Sequence, residues 1–170
     1  MRFLYLLFIC SAALFAFAES VTTFQADFEQ QIVDENGKKV VYNGSLSAVR
    51  PDRAYWRYDT PVSKKIYVLQ DEVVMIEPDM EQAIVRKMQE EIDLFSILAN
   101  AKEIDENHYE ATYRSQSFMI ATEKGVVASI RYRDDFDNKI ELRFFNQVQN
   151  APIPPETFQV TIPSSYDIIR

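Results

Sequence analysis

Apolar and polar residues alternate along most of the chain with a period of two. Because successive side chains of a β-strand point to opposite faces of a sheet, this alternation predicts strands with one buried face. The sequence therefore predicts a fold built mainly from β-strands. The inward-facing sets are Phe24, Ala26, Phe28 and Ile32; Ala54, Trp56 and Tyr58; Val126, Ala128, Ile130 and Tyr132; Ile140, Leu142 and Phe144; and Phe158, Val160 and Ile162.

The turns between these strands are rich in Asp and Asn. The segment Asp34-Glu35-Asn36-Gly37 follows the first alternating set, and residues 134–138 separate two others. Asp and Asn side chains bond to the backbone of a turn and tolerate left-handed conformations. Both segments therefore predict hairpins, and strands that follow one another at short spacing predict an antiparallel sheet.

Two further segments, residues 65–69 and 73–76, are apolar on both faces of the predicted sheet. Some other part of the chain must cover the second face. A helix packed across the sheet would do so, and so would a curved sheet whose concave side encloses an apolar cavity.

Residues 88–101 have the period of a helix. Acidic residues crowd its first turn, where the helix dipole favours negative charge. We expect this helix to lie across the sheet, either as a seal on the core or as a mobile lid. Its apolar positions form two adjacent stripes, Ile92, Phe95 and Leu98, and Leu94, Ile97 and Ala101.

The N-terminus has the features of an export signal. A cation at position 2 precedes an apolar run over residues 3–17, and Ala16-Phe17-Ala18 fits the small-residue rule for cleavage. Cys10 offers the alternative of a lipidated chain, but a bulky Ile9 stands before it where lipoprotein signals carry a small residue. We predict a cleaved signal peptide over residues 1–18 and, without repeats or linkers beyond it, a single domain over residues 19–170.

Composition argues against several kinds of chemistry. The chain has 18 Lys and Arg against 26 Asp and Glu, and its net charge of −8 becomes −9 when Arg2 leaves with the signal. His108 is the only histidine, Cys10 the only cysteine, and the three glycines lie far apart. A zinc site, a hydrolase triad and a phosphate loop therefore lack their residues, and the aspartates of residues 134–137 lack EF-hand spacing. We expect no cofactor, no metal, no enzymatic activity and no nucleic-acid partner.

Several motifs of the chain resemble those of a known family in their order and spacing. The chain reads FQADFEQQI, then YNGSLSAVRPDRAYWRYDTP, EPDMEQAIVRKM, a helical segment and PPETFQVTIPSSYDII. These motifs resemble, over nearly the whole predicted mature chain, the periplasmic outer-membrane lipoprotein carriers, the LolA-like proteins. The most specific of them are a small-residue strand leading into Arg50-Pro51, Trp56 six residues after that arginine, Pro61, and Pro78 with Glu81-Gln82.

The resemblance implies an α+β fold that is mainly β. One strongly curved antiparallel sheet would form an unclosed β-barrel, with a helical lid over an apolar cavity for acyl chains. Arg50 looks like the family's arginine that holds the lid closed through hydrogen bonds to helix carbonyls; the alternative is a solvated turn residue before proline. The lid and cavity residues expected on this resemblance are Arg50, Trp56, Tyr58, Ile92, Phe95 and Leu98.

The resemblance also implies a function. The chain is expected to be a periplasmic chaperone that binds the acyl chains of lipoproteins and shuttles them from the inner to the outer membrane. Expected partners are acylated lipoproteins, a releasing transporter in the inner membrane and a receptor in the outer membrane, and the protein is expected to be a monomer. Two alternatives stay open: a periplasmic sensor or adaptor of the same fold that binds a protein or lipid without transporting it, and a structural domain with a filled core.

Overall fold

The computed structural model describes residues 21–87 and 94–170, and the predicted signal peptide of residues 1–18, with Cys10, lies outside them. In the described ranges, one α-helix, α1 (Leu94–Ala99), and two 3-10 helices, Pro78–Met80 and Pro155–Phe158, accompany the strands. Within these residues, no helix is both long enough and apolar enough to cross a bilayer. The strands are β1 (Thr23–Val33), β2 (Lys39–Val49), β3 (Arg53–Thr60), β4 (Lys64–Val68), β5 (Glu72–Glu77), β6 (Gln82–Lys87), β7 (Ala101–Asp105), β8 (His108–Tyr113), β9 (Gln116–Glu123), β10 (Val126–Arg133), β11 (Lys139–Gln149) and β12 (Asp167–Ile169).

The twelve described strands form one sheet, in the order β12-β6-β5-β4-β3-β2-β1-β11-β10-β9-β8-β7. Strand β1 lies at its centre and pairs antiparallel with β2 on one side and with β11 on the other. All other neighbours are antiparallel too, except that β12 runs parallel to β6. Because the order ends at β12 and β7 and these two do not pair, the sheet is unclosed, and the predicted fold class is confirmed.

Both predicted hairpins are present, and an aspartate organises each turn. The Oδ1 atom of Asp34 accepts hydrogen bonds from the backbone N–H groups of Asn36 and Lys38, at 2.9 and 2.8 Å. Asp134 does the same in the turn between β10 and β11, where the N–H groups of Phe136 and Asn138 donate to its Oδ1 atom at 3.0 and 2.9 Å. These bonds fix the turns locally, which is why the sequence alone could predict them.

The sheet must be strongly curved, because strands that are distant in its order share one core. Trp56 on β3 and Phe118 on β9 belong to the same apolar cluster, although five strand steps separate β3 from β9. A flat sheet would place these strands about 24 Å apart, at roughly 4.8 Å per step. The concave face therefore wraps around the main core, which includes the fully buried Phe24, Phe28 and Leu46.

A second apolar cluster lies on the convex face. It explains how strands β4 to β6 are buried on both faces of the sheet. Tyr67, Val74, Ile76 and Ala83 pack there against Val160, Ile162 and Tyr166 of the C-terminal segment. The predicted fifth strand in this segment is wrong, because residues 155–158 form a 3-10 helix and residues 159–166 are unpaired. Its alternation nevertheless reflects burial, since Phe158, Val160 and Ile162 face inward while the residues between them are exposed.

Helix α1 covers the open side of the concave face. Its side chains Leu94, Phe95, Ile97 and Leu98 are all buried, in agreement with the two predicted stripes. The predicted end at Ala101 is wrong, because Ala101 starts β7 and pairs with Ala111 of β8. The helix ends at Ala99, after which the side-chain amide of Asn100 donates to the carbonyl of Ser96 at 2.7 Å. The predicted positions 88–93 lie outside the described residues.

Candidate functional site

A cavity of about 330 Å³ lies between the concave face of the sheet and α1. Its volume falls within the range of roughly 300–1,000 Å³ that is usual for small-molecule sites. Most of the lining is aliphatic or aromatic, and none of the described lining side chains is charged. The described lining residues are Gln30, Trp56, Tyr58, Ile66, Val68, Leu94, Ile97, Phe118, Ile130, Tyr132 and Leu142.

One wall of the cavity is an aromatic cluster built on β1 and β3. The ring of Phe28 meets Trp56 and Tyr58 edge to face, with centroid distances of 5.4 and 5.0 Å. Gly44 on β2 makes room for this arrangement, because a Cβ atom there would lie 2.9 Å from Cζ of Phe28 and 1.9 Å from the carbonyl oxygen of Arg57. Phe28 therefore sets the position of the two aromatic side chains that face the cavity.

The opposite wall comes from β9, β10 and β11. Phe118 and Tyr132 pack with their ring centroids 5.1 Å apart, and Ile130 and Leu142 are buried beside them. Burial, followed by the nearby charge of Asp134, raises the pKa of Tyr132 to about 12. Burial also raises the pKa of Tyr58, with further contributions from Tyr132 and Tyr42. Both cavity tyrosines therefore stay protonated and uncharged near neutral pH.

Arg50 connects the rim of the sheet to α1. Its Nε–H donates to the carbonyl oxygen of Val21 at 2.7 Å, and its guanidinium carbon lies 5.2 Å from the ring centroid of Phe95. A cation over an aromatic face is attracted by about 0.5–2 kcal/mol, depending on burial. Arg50 therefore contacts both the buried face of α1 and the segment that leads into β1.

Besides Arg50, the structure places the expected site residues in three groups. Trp56 and Tyr58 line the cavity. Phe95 and Leu98 are buried in the main core, and the helix residues that line the cavity belong to the other predicted stripe, Leu94 and Ile97. Ile92 lies outside the described residues.

Sequence reasoning missed the polar lining residues Gln30 and Tyr132 as members of the site. The alternation could have identified Gln30. The inward-facing residues of β1 are at even positions 24, 26, 28 and 32, so the glutamine at position 30 is expected on the same face. The register shows that Gln30 shares the inward face, since it pairs with the buried Leu142 of β11.

His108 belongs to a surface turn and not to the cavity. It starts β8, and its Nδ1 atom lies 2.5 Å from Oδ1 of Asp105, with both side chains largely exposed. Among residues 21–87 and 94–170, no group of three or more His, Cys, Asp or Glu side chains is placed to hold a metal ion.

Solved structures with a similar fold include two bacterial proteins. An uncharacterized conserved protein from Thermus thermophilus matches with a TM-score of 0.56 and 9% sequence identity, over 91% of this chain and 94% of that one. A LolA superfamily protein from Nitrosomonas europaea matches with a TM-score of 0.50 and 10% identity, over 86% and 96% of the two chains. At these identities the likeness establishes the fold alone.

Sequence comparisons are more specific. The family model described as outer membrane lipoprotein carrier protein LolA matches residues 19–121. The outer-membrane lipoprotein carrier protein of Campylobacter jejuni is 34% identical over 163 residues, which cover 96% of this chain and 95% of the relative. The protein of the same name from Wolinella succinogenes is 36% identical over 159 residues, or 93% and 92% of the two chains. The chain belongs to the LolA family of outer membrane lipoprotein carrier proteins.

Proposed function

We propose that this protein carries lipoproteins through the periplasm, from the inner to the outer membrane, with their acyl chains held in the cavity beneath α1. The single observation that carries the proposal is the cavity itself, which lies between one curved sheet and one helix and whose described lining is uncharged and mostly apolar. The relatives from Campylobacter jejuni and Wolinella succinogenes bear the name of that function. A carrier of this kind needs a protected apolar space and no covalent chemistry.

The energetic task is to keep acyl chains out of water and still release them. Each buried methylene contributes about 0.8 kcal/mol, so a chain of roughly sixteen carbons contributes on the order of 12 kcal/mol. The cavity of about 330 Å³ lies near the lower end of the usual range for ligand sites. A lipoprotein with two or three acyl chains therefore requires α1 to move outward and enlarge the space.

Arg50 is the residue we propose as the latch for that movement. Its bond to the Val21 carbonyl anchors the guanidinium to the sheet side, while Phe95 ties it to α1. The interaction with Phe95 is worth only about 0.5–2 kcal/mol, which is small beside the burial of one acyl chain. Entering cargo can therefore displace the latch, and re-closure of α1 favours release.

The organisation and partners follow from this role. We propose a cleaved signal peptide over residues 1–18 and one carrier domain over residues 19–170. We further propose that a transporter in the inner membrane loads the protein, that a receptor in the outer membrane unloads it, and that the carrier works as a monomer without a cofactor or catalytic activity.

No specific observation favours the alternatives. A structural domain with a filled core is disfavoured by the cavity of about 330 Å³ among the described residues. A sensor or adaptor of the same fold is distinguished by what happens to its ligand: it would bind lipoprotein without passing it to a membrane acceptor. The following experiment separates these roles.

The test is a transfer assay in which the purified protein takes an acylated lipoprotein from inner-membrane vesicles and delivers it to outer-membrane vesicles. The sharpest variant is Arg50→Leu, which removes both the bond to Val21 and the contact with Phe95. Arg53→Leu is a matched control, because the guanidinium of Arg53 lies over the ring of Phe158 at 5.4 Å, outside the cavity. Lipoprotein in each fraction is measured by quantitative immunoblotting.

We expect the wild-type protein and Arg53→Leu to take up and deliver lipoprotein alike. We expect Arg50→Leu to change retention, because an unlatched helix alters the balance between bound and released cargo. Uptake without delivery by the wild-type protein would favour the sensor, and absence of uptake would refute the carrier. Equal retention and release by Arg50→Leu and wild type would rule out the latch alone.

A further inference from the structure

The cavity contains a polar set made of Gln30 on β1, Tyr58 on β3 and Tyr132 on β10. The strand register shows how these side chains are arranged. Tyr58 lies in the row of Phe28, through Gly44 of β2, and Tyr132 lies in the row of Ile32, through Ile140 of β11. Gln30 stands between those rows, two residues along β1 from each. The three polar groups therefore form one diagonal across the concave face.

In the part of the chain that the structure describes, no group forms a hydrogen bond with these three polar side chains. Tyr58 and Tyr132 make ring contacts with Phe28 and Phe118. Neither tyrosine hydroxyl nor the Gln30 amide has a side-chain hydrogen bond to any residue in 21–87 or 94–170. Their polar atoms are not among the fully buried ones, so they are open to the cavity. Three polar groups that line the cavity without a protein partner point to a ligand that contributes the partners.

The type of partner follows from the donors available. A protonated tyrosine hydroxyl donates one hydrogen bond, and a glutamine amide both donates and accepts. The raised pKa values of both tyrosines keep the hydroxyls protonated. Ester carbonyls accept such bonds, and an amide group can pair with Gln30 in both directions. The acyl chains of a lipoprotein are joined to its N-terminal cysteine through groups of these two kinds.

The charges around the cavity disfavour an anionic headgroup. No described lining side chain is cationic. The nearby Lys64, whose Nζ atom lies 5.9 Å from the ring centroid of Tyr58, is already paired with Glu77 at 3.9 Å. A phosphate or a carboxylate that entered would lose water without gaining an unpaired cation, which is costly in an apolar space. Uncharged polar groups incur a much smaller penalty.

We propose that Gln30, Tyr58 and Tyr132 form a binding site for the uncharged ester and amide groups that join the acyl chains of the cargo to its cysteine. The site rests on the proposed carrier function and adds selectivity to it. An apolar cavity alone accepts any acyl chain, including those of membrane phospholipids. The polar diagonal favours acylated protein over phospholipid through the amide group, because phospholipid chains are held by ester groups alone.

The test compares two lipopeptides that differ only at the linkage. One is a synthetic cysteinyl peptide with three palmitoyl chains, two on ester groups and one on an amide group, and the other carries hexadecyl ethers in place of the two esters and keeps the amide, so that the two have the same charge. Binding is followed by the emission of Trp56, which is the only tryptophan of the chain and lines the cavity. A phosphatidylglycerol with two palmitoyl chains serves as the anionic competitor.

We expect the wild-type protein to bind the acyl-linked peptide about tenfold more tightly than the ether-linked one, which corresponds to 1.4 kcal/mol. The double variant Tyr58→Phe with Tyr132→Phe keeps both rings and removes both hydroxyls, so it should reduce that ratio to near one. Gln30→Leu should reduce the ratio too. Tyr55→Phe, on the convex face of β3, should leave it unchanged.

The outcomes separate this proposal from the carrier function on which it rests. If the wild-type protein binds both lipopeptides equally, that result alone refutes the polar site and leaves the apolar carrier intact. Phosphatidylglycerol that competes as well as the acyl-linked peptide refutes the selectivity. If neither lipopeptide binds, the carrier function itself fails.

Discussion

The close approach of β2 and β3 at Gly44 leads to a prediction about the aromatic wall of the cavity. Gly44→Ala adds one Cβ atom, which would lie 1.9 Å from the carbonyl oxygen of Arg57 and 2.9 Å from Cζ of Phe28. The first neighbour is backbone within a paired strand, so it cannot move without disturbing the ladder between β2 and β3. The second is the ring that positions Trp56.

The magnitude follows from two opposing effects. Alanine in an extended strand is favoured over glycine by about 0.5–1 kcal/mol, whereas forced overpacking costs about 1–3 kcal/mol. A contact of 1.9 Å with backbone places Gly44→Ala at the upper end of that cost. We expect the free energy of unfolding to fall by about 2 kcal/mol, measured by urea denaturation. We also expect the native emission of Trp56 to shift, because Phe28 packs edge to face on it.

Gly125→Ala separates this clash from the general effect of replacing glycine. Gly125 has φ +76° and no neighbour within 4 Å of an added Cβ atom. Alanine there costs about 1–2 kcal/mol for the left-handed backbone, but it should leave the emission of Trp56 unchanged. An unchanged urea midpoint and an unchanged native spectrum in Gly44→Ala would refute the packing argument for the aromatic wall.

Two further predictions concern pH. Partial desolvation opposes ionisation of Asp134, but hydrogen bonds from Asn138 and Phe136 outweigh it and lower its pKa. Asp134→Ala should therefore cost about 1 kcal/mol at pH 7, and this difference should begin to fall near about pH 4 and decrease further as the pH drops through the lowered pKa of the folded protein. Burial, then the neighbouring Tyr55, raises the pKa of Tyr67 to about 12. The wild-type protein should accordingly lose stability relative to Tyr67→Phe as the pH rises from about 10 towards 12, and urea titrations that keep both differences constant across these windows would contradict the assignments.

Local patterns allowed much of this fold to be predicted, and particular residues show why. The side chains of Phe24, Ala26 and Phe28 alternate without interruption, and all three are buried. The turn aspartates bond to N–H groups only two and four residues away, so nothing distant affects them. Features that depend only on a few adjacent residues can be predicted from the sequence of those residues.

Features that depend on distant partners were not predicted. A bulge in β10 between Val127 and Ser129 moves Val127 to the core, where it is fully buried, although the alternation assigned Val126 and Ala128 to the inner face. The segment around Val160 is extended without pairing, because it covers the convex face and does not join the sheet there. Both outcomes are decided by the register and curvature of other strands, which no local pattern specifies.

The burial of α1 against distant strands also bears on how a protein with a weak contact between Arg50 and Phe95 can bind acyl chains strongly. Opening α1 exposes Leu94, Phe95, Ile97 and Leu98, all buried in the closed protein, at about 1.5–3 kcal/mol for each side chain and so roughly 6–12 kcal/mol together. One acyl chain of about sixteen carbons contributes on the order of 12 kcal/mol. A single chain therefore does little more than offset the exposure of the helix, whereas the second and third chains of a lipoprotein add net affinity. We therefore propose that the closed helix sets a threshold in the number of acyl chains, and that the polar diagonal selects among the lipids that pass it.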